Sequence, residues 1–248
     1  MKKILSLTVL FVFLFVFLTA SVLSADVQIW QSPSLKFSEL KKVFIMPLSI
    51  DLSAGTQLAP MKQVNSDINS WITDGINSSM GKGNMIIKPY EALLEDMKFI
   101  YGDKVPEGFE FFKAASEMGY KIFIKASVSQ KFVIEHVPET TRTYTEYKEI
   151  EKRDRNGKII ETLRIPEEKT EIIPAHDVTY LNTVFEPKIF MTDDPDGDHV
   201  AAAQGLIYRE YQGGAVMKVV ENLTKASMKD LFKHEEEKVS KSKSKRKK

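Results

Sequence analysis

The densest set of chemistry-bearing residues in this chain is the run Asp193-Asp194-Pro195-Asp196-Gly197-Asp198-His199. Asp194, Asp196 and Asp198 alternate, as the first oxygen ligands of a calcium loop do. Such a loop closes on a bidentate acid at its twelfth position. Counted from Asp194 that position is Gly205, so the loop lacks its closing ligand. Two readings of the run remain. Asp194, Asp196, Asp198 and His199 form the centre of a metal-dependent hydrolase, or Pro-Asp-Gly turns a hairpin and keeps its acids in solvent.

The other histidines are His136, His176 and His234. His176-Asp177 and Asp198-His199 are adjacent pairs, and neighbours along a strand point to opposite faces. No two histidines lie four apart on a helical HExxH pattern, and no Gly-x-Ser-x-Gly elbow occurs. Gly81-Lys82-Gly83 follows a helical pattern rather than a strand, which makes it a helix end and not a phosphate cradle. Carboxylates are too numerous, at 34, for spacing to single out a glycosidase pair. With no cysteine, the chain has no disulfide, thiolate metal site, cysteine nucleophile or lipid-modified N-terminal cysteine. The expectation is a protein without cofactor, metal ligand or catalytic residue. Its candidate contact residues are Tyr144, Tyr147, Arg153, Asn156 and Gly157, in a polar stretch suited to stacking on a partner or to cross-strand pairing.

The elements that hold these residues follow from periodicity. Lys41–Leu48 is a short apolar run containing Pro47 and reads as a buried strand. Leu52–Pro60 reads as a loop. Met61, Val64, Ile68, Trp71, Ile72, Ile76 and Met80 trace one face of a helix over Met61–Met80. Met85–Ile87 reads as a second strand stopped by Pro89, and Glu91–Ile100 and Glu107–Met118 have helical spacing. Tyr120–Val128 reads as a strand that Lys131–Val137 continues or pairs with. From Thr141 to Pro174 the chain is dense in Thr, Tyr, Glu, Lys and Arg around a central Asn156-Gly157. Asn-Gly between β-compatible flanks marks a hairpin, since both residues tolerate positive φ. The stretch therefore reads as a polar hairpin with about fifteen residues per arm, bounded by Pro138 and Pro174. Val178–Phe185, Lys188–Thr192 and His199–Tyr211 are further strands. A last helix over Ala215–Lys233 carries a stripe from Ala215 to Leu231. The predicted class is α+β, a mixed sheet covered by helices with a long polar hairpin inserted. The helices Met61–Met80 and Ala215–Lys233 are its lids, and Trp71 lies in the core.

The ends read differently from the body. Lys2 and Lys3 precede an apolar run, Ile4–Leu18, and then small residues. That order is a secretory signal, with cleavage expected near Ser24 and Ala25. An uncleaved anchor is the alternative, because Ile4–Ala25 is long enough to cross ~30 Å of hydrocarbon as a helix. Seven of the 35 basic residues fall in 238–248 and two in the leader, leaving 26 basic against 34 acidic residues from 26 to 237. An acidic body argues against nucleic-acid binding. The tail KVSKSKSKRKK has one apolar residue and is expected to be disordered, either solubilising or drawn to an anionic surface. The domain reading is a signal at 1–25, one domain at 26–237 with the insertion at 138–174, and the tail.

Several stretches together resemble a known group. "KKVFIMPL", the helix that follows it and "NMIIKP" come first. "AASEMGYKIFIKASVSQ", "KIFMTDDPDGDHVAAAQGLIYREY" and "AVMKVVENLTKASMKDLF" come later. In that order they look like the CsgG-like / TolB-N-terminal-like bacterial envelope proteins, over roughly residues 37–130 and 178–232. The resemblance implies a periplasmic or outer-envelope α/β module that assembles with itself or docks an envelope partner, without catalysis. It departs from many members in lacking the lipidated cysteine. Tyr144, Tyr147 and Ile150 are spaced by three and form no lipid-facing row of the kind a membrane hairpin needs.

Overall fold

Two apolar triplets, Val43-Phe44-Ile45 and Ile122-Phe123-Ile124, lie side by side in register in the main sheet. A strand buried on both faces reads as a continuous apolar run rather than an alternating one. The structure is a computed structural model that describes residues 26–52 and 60–245, with backbone alone from 234. The expected signal with its cleavage near Ser24 and Ala25 lies outside the described residues, as do 53–59 of the expected loop and 246–248 of the tail.

The strands are β1 (Asp26–Gln31), β2 (Lys42–Ile45), β3 (Ser49–Leu52), β4 (Ile86–Pro89), β5 (Ile122–Val137), β6 (Thr140–Arg153), β7 (Ile159–Ile173), β8 (His176–Met191) and β9 (Ala201–Glu210). The helices are α1 (Met61–Met80), α2 (Tyr90–Tyr101), α3 (Phe109–Glu117) and α4 (Val216–Lys245), with a 3-10 turn at Phe37–Glu39. The chain divides into two compact units, one built from the segments before and after the hairpin, the other spanning Val133–Tyr180. The fold is α+β with a mixed sheet, as the periodicity predicts.

The first unit holds the sheet ordered β1-β9-β8-β5-β2-β4, with β3 also on β5. β2 and β3 run parallel to β5 along one edge, Val43 opposite Ile122 and Ser49 opposite Ser127. Six residues on one side thus match five on the other. Pro47 sits in this irregularity, where a missing N–H costs no ladder bond. Thr192 N–H donates to Lys121 O (3.0 Å) and Gln130 Nε2 to Thr183 Oγ1 (3.0 Å), so β8 runs back antiparallel along β5.

Helices cover both faces of the sheet's parallel end. On one face Val43, Ile45, Ile122 and Ile124 meet Val64, Ile68, Ile72 and Ile76 of α1 and Val216, Val219, Val220 and Leu223 of α4. On the other, Phe44 and Phe123 meet Leu93 and Met97 of α2 and Phe111, Ala114 and Ala115 of α3. Each fully buried Ile or Phe contributes about 1.5–3 kcal/mol relative to exposure. α1 and α4 approach closely at Gly75, where an added Cβ would stand 2.6 Å from Met228 Cβ and 2.8 Å from Lys225 O. Lys225 then bridges the two helices' acids, reaching Asp74 at 2.9 Å and Glu221 at 3.0 Å.

Four expectations change. β1 was not foreseen: its short Val27-x-Ile29 alternation gives too few periods to see, and pairing with β9 supplies the rest. β3 occupies Ser49–Leu52, so the expected loop loses its first residue to a strand. Val178–Phe185 and Lys188–Thr192 are one strand, because Pro187 fits extended φ and loses only one ladder donor. α4 continues to Lys245, into the tail expected to be disordered, where the lysines are good helix formers.

Candidate functional site

The sequence places its candidate contact residues on the hairpin β6–β7, within the second unit. Fourteen residues of β6 pair antiparallel with fifteen of β7, from Thr140 opposite Ile173 to Arg153 opposite Ile159. All of β6 is exposed and only Ile173 of β7 is half-buried. Pro138 and Pro174 stand in the breaks at its base.

The turn is made by Asp154. Its Oδ1 accepts the N–H groups of Asn156 (2.8 Å) and Lys158 (2.9 Å), and its carbonyl accepts that of Gly157 (3.0 Å). Gly157 has φ +79°, whereas Asn156 does not enter the left-handed region. The expectation that Asn156 and Gly157 would share positive φ is corrected to a longer loop closed by a left-handed glycine. Asp154 wins because its side chain satisfies two backbone donors at once. Arg153 Nη1 donates to Gly157 O (3.1 Å) and its Nη2 meets Glu151 at 2.6 Å. Arg153 and Gly157 are thus parts of the turn's own bonding.

The two tyrosines lie on opposite faces. Tyr144 is opposite Lys169, while Tyr147, 64% exposed, is opposite Pro166. Neither forms a tyrosine pair. Spacing could not show what β7 adds: Leu163 is opposite Ile150 and Ile165 opposite Lys148, so Ile150, Leu163 and Ile165 share the Tyr144 face. All three are exposed. The signal was present as Leu163-x-Ile165, but it acquires meaning only from register.

Charge dresses both faces. Glu149 and Arg164 pair across the strands at 2.7 Å, and Lys152 reaches Glu161 at 3.7 Å. Glu146 and Glu167 stand directly opposite, an unfavourable pairing that the Glu146–Lys169 ion pair offsets. The hydrogen bond that Lys169 donates to Glu146 holds its ammonium above the ordinary pKa. Nearer the base, His136 Nδ1 lies 2.9 Å from Asp177.

The acidic run takes the turn form. Asp193, Asp194, Asp196 and Asp198 are exposed, Pro195 is buried, and Gly197 N–H donates to Asp194 O at 3.3 Å. His199 is engaged by rings, with Trp30 at 5.1 Å and Phe190 at 6.3 Å. Gly205, where a calcium loop needs its last ligand, lies on the β9 face under α4, and a Cβ there would stand 2.2 Å from Ser227 Oγ. Among the described residues no three His, Asp or Glu side chains are grouped to hold a metal ion. Asp194, Asp196, Asp198 and His199 are not brought together as a centre. No helix among the described residues is long and apolar enough to cross a membrane.

No family model matches the chain, and no curated protein matches it. Solved structures are similar to it at low identity and low TM-score. The PelC dodecamer from Paraburkholderia phytofirmans is similar over 84% of this chain and 97% of its own, at 12% identity and TM-score 0.38. Lipoprotein GNA1162 from Neisseria meningitidis is similar over 74% of this chain and 93% of its own, at 7% identity and TM-score 0.32. At these scores the likenesses assign neither family nor function.

Proposed function

We propose that this chain is an exported, non-enzymatic protein of the bacterial envelope, of the CsgG-like / TolB-N-terminal-like kind, and that its β6–β7 hairpin docks an envelope protein partner. One observation carries the reading: a ribbon of fourteen and fifteen residues whose side chains are almost all in solvent. A two-stranded ribbon has no interior and is marginal in water by itself. Its outer edges also offer unpaired N–H and C=O groups, the template for adding a strand from another chain. Tyr144, Ile150, Leu163 and Ile165 supply apolar anchors on one face, and Tyr147 supplies one on the other. The alternating charges of the ribbon limit promiscuous pairing.

The test excises residues 138–174, joins the ends by a short turn, and compares partner recovery from envelope fractions. Recovery by the intact chain and none by the excised one is expected. Equal recovery by both counts against the hairpin.

A further inference from the structure

The tip of the hairpin carries a chemistry that needs no partner. The backbone nitrogen that follows an asparagine can attack that residue's side-chain carboxamide carbon and close a five-membered ring. Glycine obstructs the attack least, because it has no side chain. Asn156 is the one asparagine of the chain that glycine follows. The structure sets the other six aside. Asn65, Asn69 and Asn77 lie within α1, Asn182 within β8 and Asn222 within α4, where regular backbone structure restrains the next N–H. Asn84 precedes a buried Met85, and its amide donates to Met80 O at 2.6 Å. Asn156 and Gly157 are exposed instead, and a Cβ built on Gly157 would meet nothing within 4 Å.

We propose that Asn156 is a self-modifying site, converting to aspartate and isoaspartate at a rate that Asp154 holds down. The Gly157 nitrogen, deprotonated by solvent base, bonds to Asn156 Cγ. The Cγ–Nδ2 bond breaks, and Nδ2 takes a proton from water and leaves as ammonia. Water then opens the cyclic imide. Breaking the bond from Cγ to the Gly157 nitrogen gives aspartate, and breaking the bond from the Asn156 backbone carbonyl carbon gives isoaspartate. Asp154 opposes the first step. Its carbonyl accepts the Gly157 N–H (3.0 Å), and its Oδ1 accepts those of Asn156 (2.8 Å) and Lys158 (2.9 Å). While that N–H donates, the attacking nitrogen keeps its proton, so ring closure runs through the opened turn. Both products add a negative charge next to Asp154, and isoaspartate also adds one carbon to the main chain. The tip thus loosens with age.

The test incubates the full chain in heavy-oxygen water at mildly alkaline pH and reads the label by peptide mass spectrometry, with fragmentation that separates isoaspartate from aspartate. Label at position 156, mostly as isoaspartate, is expected in the native chain, with the other six asparagines unlabelled over the same interval. Unfolding in urea should speed conversion severalfold. Asp154→Ala should speed it severalfold in the native chain, and Asp154→Asn, which keeps an Oδ1 acceptor, should restore the slow rate. No label at 156 in the native chain, under conditions where the unfolded chain converts, overturns the proposal. Equal rates in native and unfolded chains, or in Asp154→Ala and the parent, overturn the role of Asp154.

Discussion

Single side chains show where this fold has no tolerance. Gly75 is set against α4 so closely that a β-carbon meets Met228 and the Lys225 carbonyl. Gly75→Val should therefore lower stability by about 1–3 kcal/mol, since added volume in a tight helix contact forces backbone shifts. A fall in the denaturant midpoint at unchanged slope would show it, and a midpoint equal to that of the parent would refute it. A second residue-scale effect sits by the aromatic cluster of Phe44, Phe111 and Phe123. Burial raises the pKa of the Tyr120 phenol above its ordinary 10.0, and the hydrogen bond to Asp96 raises that of Lys88 above its ordinary 10.5. A group whose folded pKa is raised stabilises fully below its unfolded pKa, and the contribution is lost as pH rises through the folded one. The melting temperature should therefore drop as pH climbs past about 10. In Tyr120→Phe, which keeps the edge-to-face contact with Phe44, part of that drop should vanish. Identical alkaline profiles for the two proteins would refute the Tyr120 contribution.

Elements differ sharply in how much they owe to one another. Among the described residues every buried core residue lies in 35–128 or 181–232, so none comes from the hairpin. The variant lacking 138–174 should then melt within a few degrees of the parent and stay cooperative, as calorimetry would read. A loss of cooperativity would mean that the ribbon supports the sheet. β1 is the opposite case. It is short, but Val27 and Ile29 pack on the core and its whole length pairs with β9. α1 and α4 depend on each other, because the apolar stripe of each helix is covered by the sheet and by the other helix.

Considered whole, the first unit is assembled from two stretches of chain far apart in sequence. β1 pairs with β9 and β5 lies next to β8, while α1 and α4 share one core. The turn between β6 and β7 exposes Arg155 and Lys158, the favoured kind of site for a protease. Brief trypsin treatment should cut there first. The nicked protein should elute from a sizing column as one species and separate into two fragments only in denaturant. Fragments that part under native conditions would contradict the shared sheet.

Much of this architecture was legible in the residues. The helix over Met61–Met80 matches its periodicity end to end, because its apolar face recurs over 20 residues and its stop is a glycine. The buried strand at Val43–Ile45 shows as an apolar run, that from Ile122 to Val128 as a partly alternating one, and Asn156-Gly157 marks the hairpin. Less was legible of the contact surface. Tyr144 and Tyr147 were visible as aromatic residues on a polar arm. That they point to opposite faces follows from their spacing of three on one strand, but that Ile150 gains Leu163 and Ile165 follows only from strand register. The order of strands and the closeness of α4 at Gly75 were likewise settled by tertiary structure. The physical reason is range: periodicity and turn chemistry act over a few neighbours, whereas pairing and burial depend on which distant segment arrives alongside.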